Sequence, residues 1–396
     1  MNRKLTLTAL LALAISLLLC AFCALAEEEE EEASFFDHKD SIVLTPGPTA
    51  SPTPVIAFYT PAPSEVTVPP TGNMAIVVTA TGDLTIGTNY KKYRNMDASL
   101  FGKELKRQNG DINFYLRNIR DLLSQDDLTI VNFEGTLADQ VTIPSSKRNN
   151  EYLFLAPTSY AQTLADNSIE AATMENNHVM DFGEDGYAST MDALQSAGVV
   201  VANSTKLGIY EVKGVKIGML AYQTFNGGYD RIYQTLQTDI DNARSQGCEI
   251  VTVSYHWGAE LDYHPNDNQQ KLAHATIDAG ADLVIGHHSH RINPIEEYNG
   301  KYIVYSLGNF SFSGNGKPSD MLTYVFQIRF KYRRGEMHGT DFRIIPCRIS
   351  SKTDYNDFAV TPLTETRYID TVLNTLKKEG GYIRNPVPNY PLEWEK

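Results

Sequence analysis

The chain has 396 residues, enough for two average domains or for one large domain with appendages, and 42% of them are hydrophobic, enough for a substantial core. Acidic residues exceed basic residues by 14. This charge argues against nonspecific nucleic-acid binding, which needs a basic surface to displace counterions, and we expect no nucleic-acid partner. It also disfavours broad contact with a polyanion, although an acidic surplus is often only a solubility feature.

The N-terminus has the pattern of an export signal. Arg3 and Lys4 precede an apolar stretch over residues 5–26, and Ala24 and Ala26 lie where a signal peptidase would act. The stretch is also just long enough to cross a bilayer with its positive end inside, so an uncleaved anchor is the alternative. Both interpretations predict an extracytoplasmic protein, secreted or anchored to the outer face of the cell membrane. Membrane contact is expected only through an uncleaved N-terminal segment.

Residues 27–72 are typical of an acidic, Pro/Thr-rich linker. Six consecutive glutamates at 27–32 repel one another and stay solvated. The prolines of 45–72 favour extended, polyproline-like chain. We therefore expect a stalk or a featureless linker, then one folded domain at 73–350 and a tail at 351–396 that contains a helix at 367–378.

Apolar, β-branched runs alternate with helical patterns in the first part of the expected domain. Predicted strands lie at 74–81, 128–132, 169–174, 199–202, 215–222, 249–255 and 282–286. Predicted helices lie at 113–123, 186–196 and 268–279, and further strands follow at 302–307, 322–332 and 341–349. This alternation predicts an α/β protein with βαβ units and helix-covered sheets.

Two cysteines, Cys248 and Cys347, lie in apolar, strand-like runs of the expected domain. In an exported protein they could form a disulfide, or they could be two buried thiols, since sequence separation does not give their distance. Neither lies near a His or Cys at ligand spacing, so we assign them no chemistry.

Polar side chains follow five of the predicted strands. They are Asp83; Asn132 and Glu134; Asn176, Asn177, His178 and Asp181; His256 and Glu260; and His287, His288 and His290. In open α/β sheets, ligands bind beyond the carboxyl ends of the strands. Each residue alone has an ordinary explanation, such as a turn, a helix cap or a core histidine. Their coincidence at five strand ends, with a His-x-His pair, predicts a shared metal site.

The donor types limit the kind of metal site. Carboxylates, an amide oxygen and imidazoles occur without a thiolate, which disfavours structural zinc and suits an open site for Mn, Fe or Zn. We expect one or two divalent ions. A pair about 4 Å apart would need a bridging carboxylate, for which Glu134 is the natural candidate, and would clamp a phosphate and lower the pKa of water towards neutrality.

In this order, the motifs resemble the CapA family of poly-γ-glutamate capsule synthesis proteins, which is similar to the calcineurin-like metallophosphoesterases. The resemblance covers about residues 75–312. It rests on Gly82-Asp83, Asn132-Phe133-Glu134-Gly135, Asn176-Asn177-His178, His256-Trp257-Gly258, Gly286-His287-His288-Ser289-His290 and Ser306-Leu307-Gly308-Asn309-Phe310. It implies a metallophosphoesterase-like α/β/β/α sandwich, in which two layered sheets are flanked by helices.

The resemblance also implies roles for individual residues. The implied metal ligands are Asp83, Glu134, Asn177, His256, His288 and His290, with His287 competing with His288 for one role. His178 would be the general acid, and Asp181 would orient it. Two positions depart from the phosphoesterase pattern: Thr85 stands where that pattern has the histidine of Asp-x-His, and Glu134 stands where it has Asp. One imidazole is therefore missing from the first metal position.

Three functions follow from the residues and the resemblance. The first is metal-dependent hydrolysis or transfer at a phosphoester or related bond, in the synthesis or export of a capsule polymer. The second is a non-catalytic role in assembling or anchoring that anionic polymer, with membrane-bound capsule synthesis proteins as partners. The third is a wall-binding module in which Tyr255 and Trp257 stack on sugar rings, but a sugar cleft does not need five metal-type motifs.

Overall fold

The computed structural model describes residues 42–43 and 73–395. The predicted signal or anchor at 1–26 and most of the predicted linker lie outside the described residues. Within the described part of the chain, no helix combines the length and the apolarity needed to cross a membrane.

The described residues contain nineteen strands, eight α-helices and four short 3₁₀ helices. The strands are β1 (Ile42–Val43), β2 (Asn73–Thr85), β3 (Thr88–Asn89), β4 (Leu128–Phe133), β5 (Thr136–Leu137), β6 (Gln140–Val141), β7 (Phe154–Ala156), β8 (Ala171–Thr173), β9 (Val200–Ala202), β10 (Gly208–Val212), β11 (Val215–Gln223), β12 (Cys248–His256), β13 (Leu283–His287), β14 (Ile295–Tyr298), β15 (Lys301–Val304), β16 (Asn309–Phe312), β17 (Leu322–Arg333), β18 (Glu336–Arg348) and β19 (Thr361–Pro362). The helices are α1 (Tyr90–Tyr93), α2 (Leu100–Arg107), α3 (Arg120–Leu123), α4 (Gln162–Asp166), α5 (Gly183–Ser196), α6 (Gly228–Ser245), α7 (Asp267–Asp278) and α8 (Thr366–Glu379).

Two large sheets form the centre of the protein. The first has the strand order β19-β18-β17-β2-β4-β8-β9, with β16 beside β2. Its strands β2, β4, β8 and β9 are parallel, and β17 to β19 complete it in antiparallel fashion. The second sheet has the order β10-β11-β12-β13-β15-β14, with parallel strands between two antiparallel edges.

The two sheets pack face to face between two layers of helices, and the alternating side chains of their strands show this arrangement. In β4, Ile130 packs into a core cluster with Ile250 of the second sheet, whereas its neighbour Val131 packs into another cluster with Leu194 of α5. In β12, Val251 packs with residues of α6 and α7 on the other outer face. Because successive strand residues face opposite ways, each sheet covers the other with one face and helices with the other. This confirms the predicted α/β/β/α sandwich.

The helix predicted at 113–123 is wrong. The structure has a short 3₁₀ helix at Ile112–Tyr115, then turns, and α-helix only at Arg120–Leu123. Phe114, Tyr115 and Leu116 are all completely buried. Three consecutive buried residues cover more than one face of an α-helix, so tight turns suit this segment better. By contrast, the predicted helices at 186–196, 268–279 and 367–378 correspond to α5, α7 and α8, respectively.

The two cysteines of the described chain are free and buried, which selects the second of the two alternatives. Burial raises the pKa of both thiols, so neither forms a thiolate readily. The C-terminal residues also pack into the protein: Val372 and Leu376 of α8 join the cluster between the sheets, together with Val387 and Tyr390.

Candidate metal centre

The parallel strands of both sheets end at one edge of the sandwich, and polar side chains of both sheets meet there. The first sheet contributes Asp83 from β2, Glu134 after β4, and the loop after β8 with Asn177. The second sheet contributes His256 at the end of β12 and the segment 287–290 at the end of β13. The metal site predicted from the strand ends therefore has a single location in the fold.

Asp83 is completely buried at this edge and is surrounded by donors. Its Oδ1 accepts a hydrogen bond from Asn132 Nδ2 at 2.8 Å and lies 3.3 Å from His287 Nδ1. Its Oδ2 accepts from the backbone N–H of His288 and lies 3.4 Å from His290 Nδ1. Burial alone would raise the pKa of Asp83, but the adjacent His287 and His290 rings outweigh it and hold the pKa well below its usual range.

Strand β2 continues past Asp83, whereas the sequence predicted that it ends at residue 81. The extension exists because β16 pairs with its last residues, Asn309 opposite Asp83 and Phe312 opposite Thr85. The pairing requires Gly82, since a Cβ at this position would lie 2.0 Å from the carbonyl oxygen of Gly308. The close approach holds the backbone that carries Asp83.

Glu134 differs from Asp83 in having no hydrogen-bond partner in the described chain. The side chain is buried, and neither carboxylate oxygen has a hydrogen-bond partner among the described residues. His178 Nε2 and His256 Nε2 both lie 3.9 Å from Oε1. Burial, helped by the negative charge of Asp83, raises the pKa of Glu134 to about 7. An unpartnered buried carboxylate is costly, and a cation between these groups would remove the cost.

A second group of donors lies near Glu134. His256 Nε2 lies 2.8 Å from Asn177 Oδ1 and 3.0 Å from His288 Nδ1. The ring of Phe225 packs edge-on against His288, with 4.7 Å between the centroids. One amide oxygen and two imidazoles thus converge on a small volume, which is a donor set suited to Zn, Mn or Fe.

The three predicted metal-ligand histidines with shifted pKa values fall into two groups. Burial, with the adjacent charge of His288, lowers the pKa of His256 well below 6.5, and burial lowers that of His288 to about 4. Both rings are therefore neutral near pH 7, as a metal ligand must be. At His290 burial acts in the same direction, but the hydrogen bond to Asp83 and the charge of Glu134 raise the pKa to about 9.

The backbone after β13 is strained where it presents its imidazoles. His288 has φ 94° and His290 has φ 52°, in the left-handed region that residues other than glycine rarely adopt. This conformation lets the N–H of His288 reach Asp83 while the ring of His290 reaches Asn309 Oδ1 at 2.9 Å. Strain of this kind persists only where surrounding contacts over-determine the chain, and it concentrates at functional sites.

His287 and His288 both lie at the centre, but they contact different residues. His288 contacts His256, as described above, whereas His287 lies beside Asp83 and neither of its ring nitrogens has a hydrogen-bond partner within the described chain. Each ring therefore has a donor atom near a different group of ligands. The choice between the two as a ligand stays a prediction.

His178 and Asp181 form a pair at the open side of the centre. His178 Nδ1 lies 2.9 Å from Asp181 Oδ2, which also accepts a hydrogen bond from Phe154 N. Burial by itself lowers the pKa of His178, but Asp181 and Glu134 together raise it. Lys147 Nζ lies 3.6 Å from Asp181 Oδ1. The geometry holds the ring with Nε2 directed towards Glu134, as an orienting role for Asp181 requires.

Two asparagines that the sequence left without a role support the site, and one of them, Asn132, connects the two sheets. Asn132 Nδ2 donates to Asp83 Oδ1 and lies 3.3 Å from His256 Nδ1, and Asn132 Oδ1 accepts from Asn176 Nδ2 at 3.0 Å. Their position in the same motifs as Glu134 and Asn177 could have indicated a role in the site. Side-chain amides can both donate and accept, so Asn132 orients a carboxylate and an imidazole together.

Tyr255 and Trp257 do not form a sugar-stacking surface. Both are completely buried, and their rings stack on each other with 4.7 Å between the centroids. Trp257 Nε1 donates to the carbonyl of Tyr305 at 3.0 Å. They pack beneath the centre as core, so the wall-binding interpretation that relied on them loses its support.

Donor atoms of Asp83, Glu134 and His290 all lie within 4.8 Å of one another, close enough to hold one metal ion. The unpartnered oxygens of Glu134 and ring nitrogens of His287 fit the same requirement. The second group, around Asn177, shares Glu134 with the first. The fold and the site therefore define the class: an α/β/β/α sandwich with a group of carboxylates and imidazoles at one edge that could hold a metal ion.

The chain belongs to the family described as bacterial capsule synthesis protein PGA_cap, whose pattern matches residues 77–313. This confirms the resemblance found in the motifs. The chain is 33% identical over 213 residues to the PGA biosynthesis protein CapA of Bacillus subtilis, over 49% of this chain and 55% of that protein. It is 25% identical over 279 residues to the capsule biosynthesis protein CapA of Bacillus anthracis, over 65% of each chain. A probable polyglutamine synthesis accessory protein of Mycobacterium tuberculosis is 31% identical over 164 residues, which cover 34% of this chain and 43% of that protein. The matches thus span from under half to about two thirds of these relatives.

Proposed function

We propose that this protein acts outside the cytoplasm in the synthesis of an anionic capsule polymer such as poly-γ-glutamate, through a divalent-metal centre that cleaves or transfers a phosphoester or related bond. The names of the relatives support the polymer. The observation that supports the metal centre is Glu134, a buried carboxylate that has no hydrogen-bond partner in the described chain and lies 3.9 Å from His178 Nε2 and from His256 Nε2. Secretion or anchoring rests on the apolar segment at residues 5–26.

Two sets of residues would hold the metal, with Glu134 between them. Asp83, His290 and His287 form one set, and the amide of Asn177 with His256 and His288 forms the other. A divalent ion in this position supplies Lewis acidity towards a phosphoryl oxygen and a lower pKa for water. The protein contributes the dry, fixed arrangement of the donors, since Asn132 holds the carboxylate of the first set and an imidazole of the second.

His178 is suited to protonate the leaving oxygen. Asp181 accepts the Nδ1 hydrogen bond, so a proton on Nε2 faces the centre. Burial lowers the pKa of His178, but the hydrogen bond to Asp181 and the charges of Asp181 and Glu134 raise it overall, which is the direction that suits a proton donor. A group whose pKa lies near the working pH can give up its proton to the leaving oxygen and take up another afterwards.

Metal content and turnover measured together test the proposal. We expect the wild-type protein to bind one or two ions per chain and to hydrolyse a generic aryl phosphodiester or monoester. His288→Ala and Asp83→Ala should abolish both. His274→Ala is the matched control, because this histidine pairs with Glu296 away from the centre, and it should keep metal and activity. Wild-type protein without bound metal after supply of Mn, Fe and Zn would refute the proposal.

A non-catalytic role in assembling the polymer is the second candidate, and Thr85 favours it. Phosphoesterases have a histidine at this position, whereas Thr85 is buried and offers one hydroxyl, which has no hydrogen-bond partner among the described residues. Metal bound without turnover of a broad panel of phosphoesters would support this candidate. Membrane-bound capsule synthesis proteins would then be the partners to test by co-purification.

A further inference from the structure

A cavity of about 620 Å³ opens beside the metal centre and is lined by His178 and His290. Its size suits a segment of a polymer rather than a single phosphate. The lining also includes Arg291, from the loop after β13, and Lys91 and Lys92, from α1. The cavity therefore connects the centre with positively charged side chains from two separate parts of the chain.

Arg291 is a buried cation without a carboxylate partner in the described chain. Only 7% of the residue is exposed. Its Nη1 donates to the carbonyl of His290 at 2.8 Å, its Nη2 donates to Ser319 Oγ at 2.9 Å, and its guanidinium lies 5.6 Å from the ring centroid of Tyr263. The nearby carboxylate of Asp320 accepts its hydrogen bond from Tyr263 instead. Buried charges are normally paired, so this guanidinium is prepared for an anion.

Two lysines, Lys91 and Lys92, also line the cavity and are more exposed than Arg291. Lys91 Nζ donates to the backbone carbonyl of Arg148 at 2.5 Å, and Lys92 Nζ lies 5.4 Å from the ring centroid of Tyr93. Neither forms an ion pair with a carboxylate of residues 73–395. The lining has three such cations against two carboxylates, Glu151 and Glu260, in a chain with a surplus of 14 acidic residues.

Apolar surface lies between these charges. Phe154 and Phe312 line the cavity, with 5.8 Å between their ring centroids. At the rim, Tyr152 is 52% exposed and Leu261 is 58% exposed, and Leu261 has φ 68°. A bulky residue in this left-handed conformation, with its side chain in solvent, is uncommon. The surface offers contacts for methylene groups between the anionic groups of a ligand.

We propose that this cavity is a binding site for a carboxylate-bearing chain, such as a segment of γ-linked glutamate, and that Arg291 binds one of its carboxylates. This inference depends on the proposed function for the identity of the polymer. Spaced cations separated by apolar surface match a ligand whose carboxylates are separated by methylenes and amides. A guanidinium binds a carboxylate through two parallel hydrogen bonds, which gives the site its specificity.

Fluorescence anisotropy with a labelled short oligomer of γ-linked glutamate tests the site without relying on turnover. We expect Arg291→Gln to weaken binding by about tenfold or more, because it removes a desolvated charge. The double variant Lys91→Gln/Lys92→Gln should weaken binding by about threefold, since these lysines are more exposed. Lys103→Gln is the matched control, since this exposed residue lies outside the lining, and it should bind as wild type.

A neutral oligomer of γ-linked glutamine and inorganic phosphate distinguish the sources of the anion. The neutral oligomer should not compete, and phosphate should compete only weakly. Equal binding of the neutral oligomer, wild-type affinity in Arg291→Gln, or displacement by phosphate at low concentration would overturn the inference. If Arg291→Gln does not fold, Arg291→Lys and the Lys91→Gln/Lys92→Gln variant test the inference in its place. Arg291→Lys keeps the charge, and the double variant changes only the outer part of the cavity.

The outcome is separable from the proposed catalysis. Arginine-dependent binding of the oligomer in a protein that holds metal but turns over no phosphoester would support this site and refute the enzymatic part of the proposed function. Turnover of a phosphoester without binding of the oligomer would refute this site alone. The metal content of Arg291→Gln should equal that of wild type in either case.

Discussion

Both ends of the first sheet carry carboxylates, but the groups that surround the carboxylates differ between the two ends. At the amino end, Asp127 Oδ2 accepts the backbone N–H of Val77 at 2.9 Å, and Glu170 Oε2 accepts that of Thr129 at 2.8 Å. At the carboxyl end, Glu134 is more deeply buried, yet neither oxygen has a hydrogen-bond partner in the described chain. Carboxylates at the amino end are satisfied by the protein itself.

The groups that face the carboxylates explain the difference. At the amino end they are backbone N–H groups, the hydroxyl of Thr129 and the ammonium of Lys213, all of which donate protons. At the carboxyl end the neighbours of Glu134 are imidazoles and the second carboxylate, Asp83. Like-charged and lone-pair-bearing groups crowd together only where a cation can stabilise them. Burial alone does not distinguish Glu134; what distinguishes it is that no described residue donates a hydrogen bond to it.

Exchanging one carboxylate at each end tests this contrast most strongly. Glu134→Gln should lower metal affinity by about 100-fold, because it removes the charge shared by both donor groups, while the thermal unfolding temperature stays near that of wild type. Glu170→Gln, at the amino end, should keep its metal and lose about 1 kcal/mol of stability. Metal titration and thermal unfolding measure both. Loss of metal in Glu170→Gln, or retention in Glu134→Gln, would break the comparison.

Asp127→Ala should show that the amino-end carboxylates are structural. The substitution removes the acceptor for the N–H of Val77 and the partner of Lys213, and we expect a loss of about 2 kcal/mol in urea unfolding with unchanged metal content. Lys213→Ala is the control for the ion pair alone. Its side chain is 48% exposed, so it should cost only about 0.5 kcal/mol. Equal losses in the two variants would contradict the role assigned to the backbone hydrogen bond.

The pH dependence of the unfolding free energy offers a further test of the amino end, through Asp126. Burial, with the charges of Glu170 and Asp127, raises its pKa to about 7 against the hydrogen bonds of Thr79 and Thr129. A carboxyl whose folded pKa is raised stabilises the fold fully below its unfolded pKa and loses that contribution as pH rises through 7. Asp126→Asn should therefore make the unfolding free energy decline less steeply between roughly pH 4 and 7. Parallel pH profiles in wild type and variant would show that Asp126 does not titrate in this range.

Much of the candidate site could be predicted because each of its parts is local. A strand followed by Asn132 or His256 is visible in a few residues, since β-branched runs and the polar residues after them are properties of short segments. The same is true of α5, α7 and α8. The prediction of a helix at 113–123 was wrong because the burial pattern of this segment depends on which elements surround it. The 18-residue helix α6 was not predicted, although Ile232, Leu236 and Ile240 recur every four residues.

The sequence by itself determined the class of fold, the family and the strand ends that carry polar residues, because these follow from local patterns and ordered motifs. Only the tertiary structure decided that β16 extends β2 past Asp83, that Asn132 joins the two sheets, and that Glu134 is left without a donor among the described residues. It also placed Arg291 in a cavity beside the centre. Such facts depend on distances between residues far apart in the chain, and no local pattern encodes those distances.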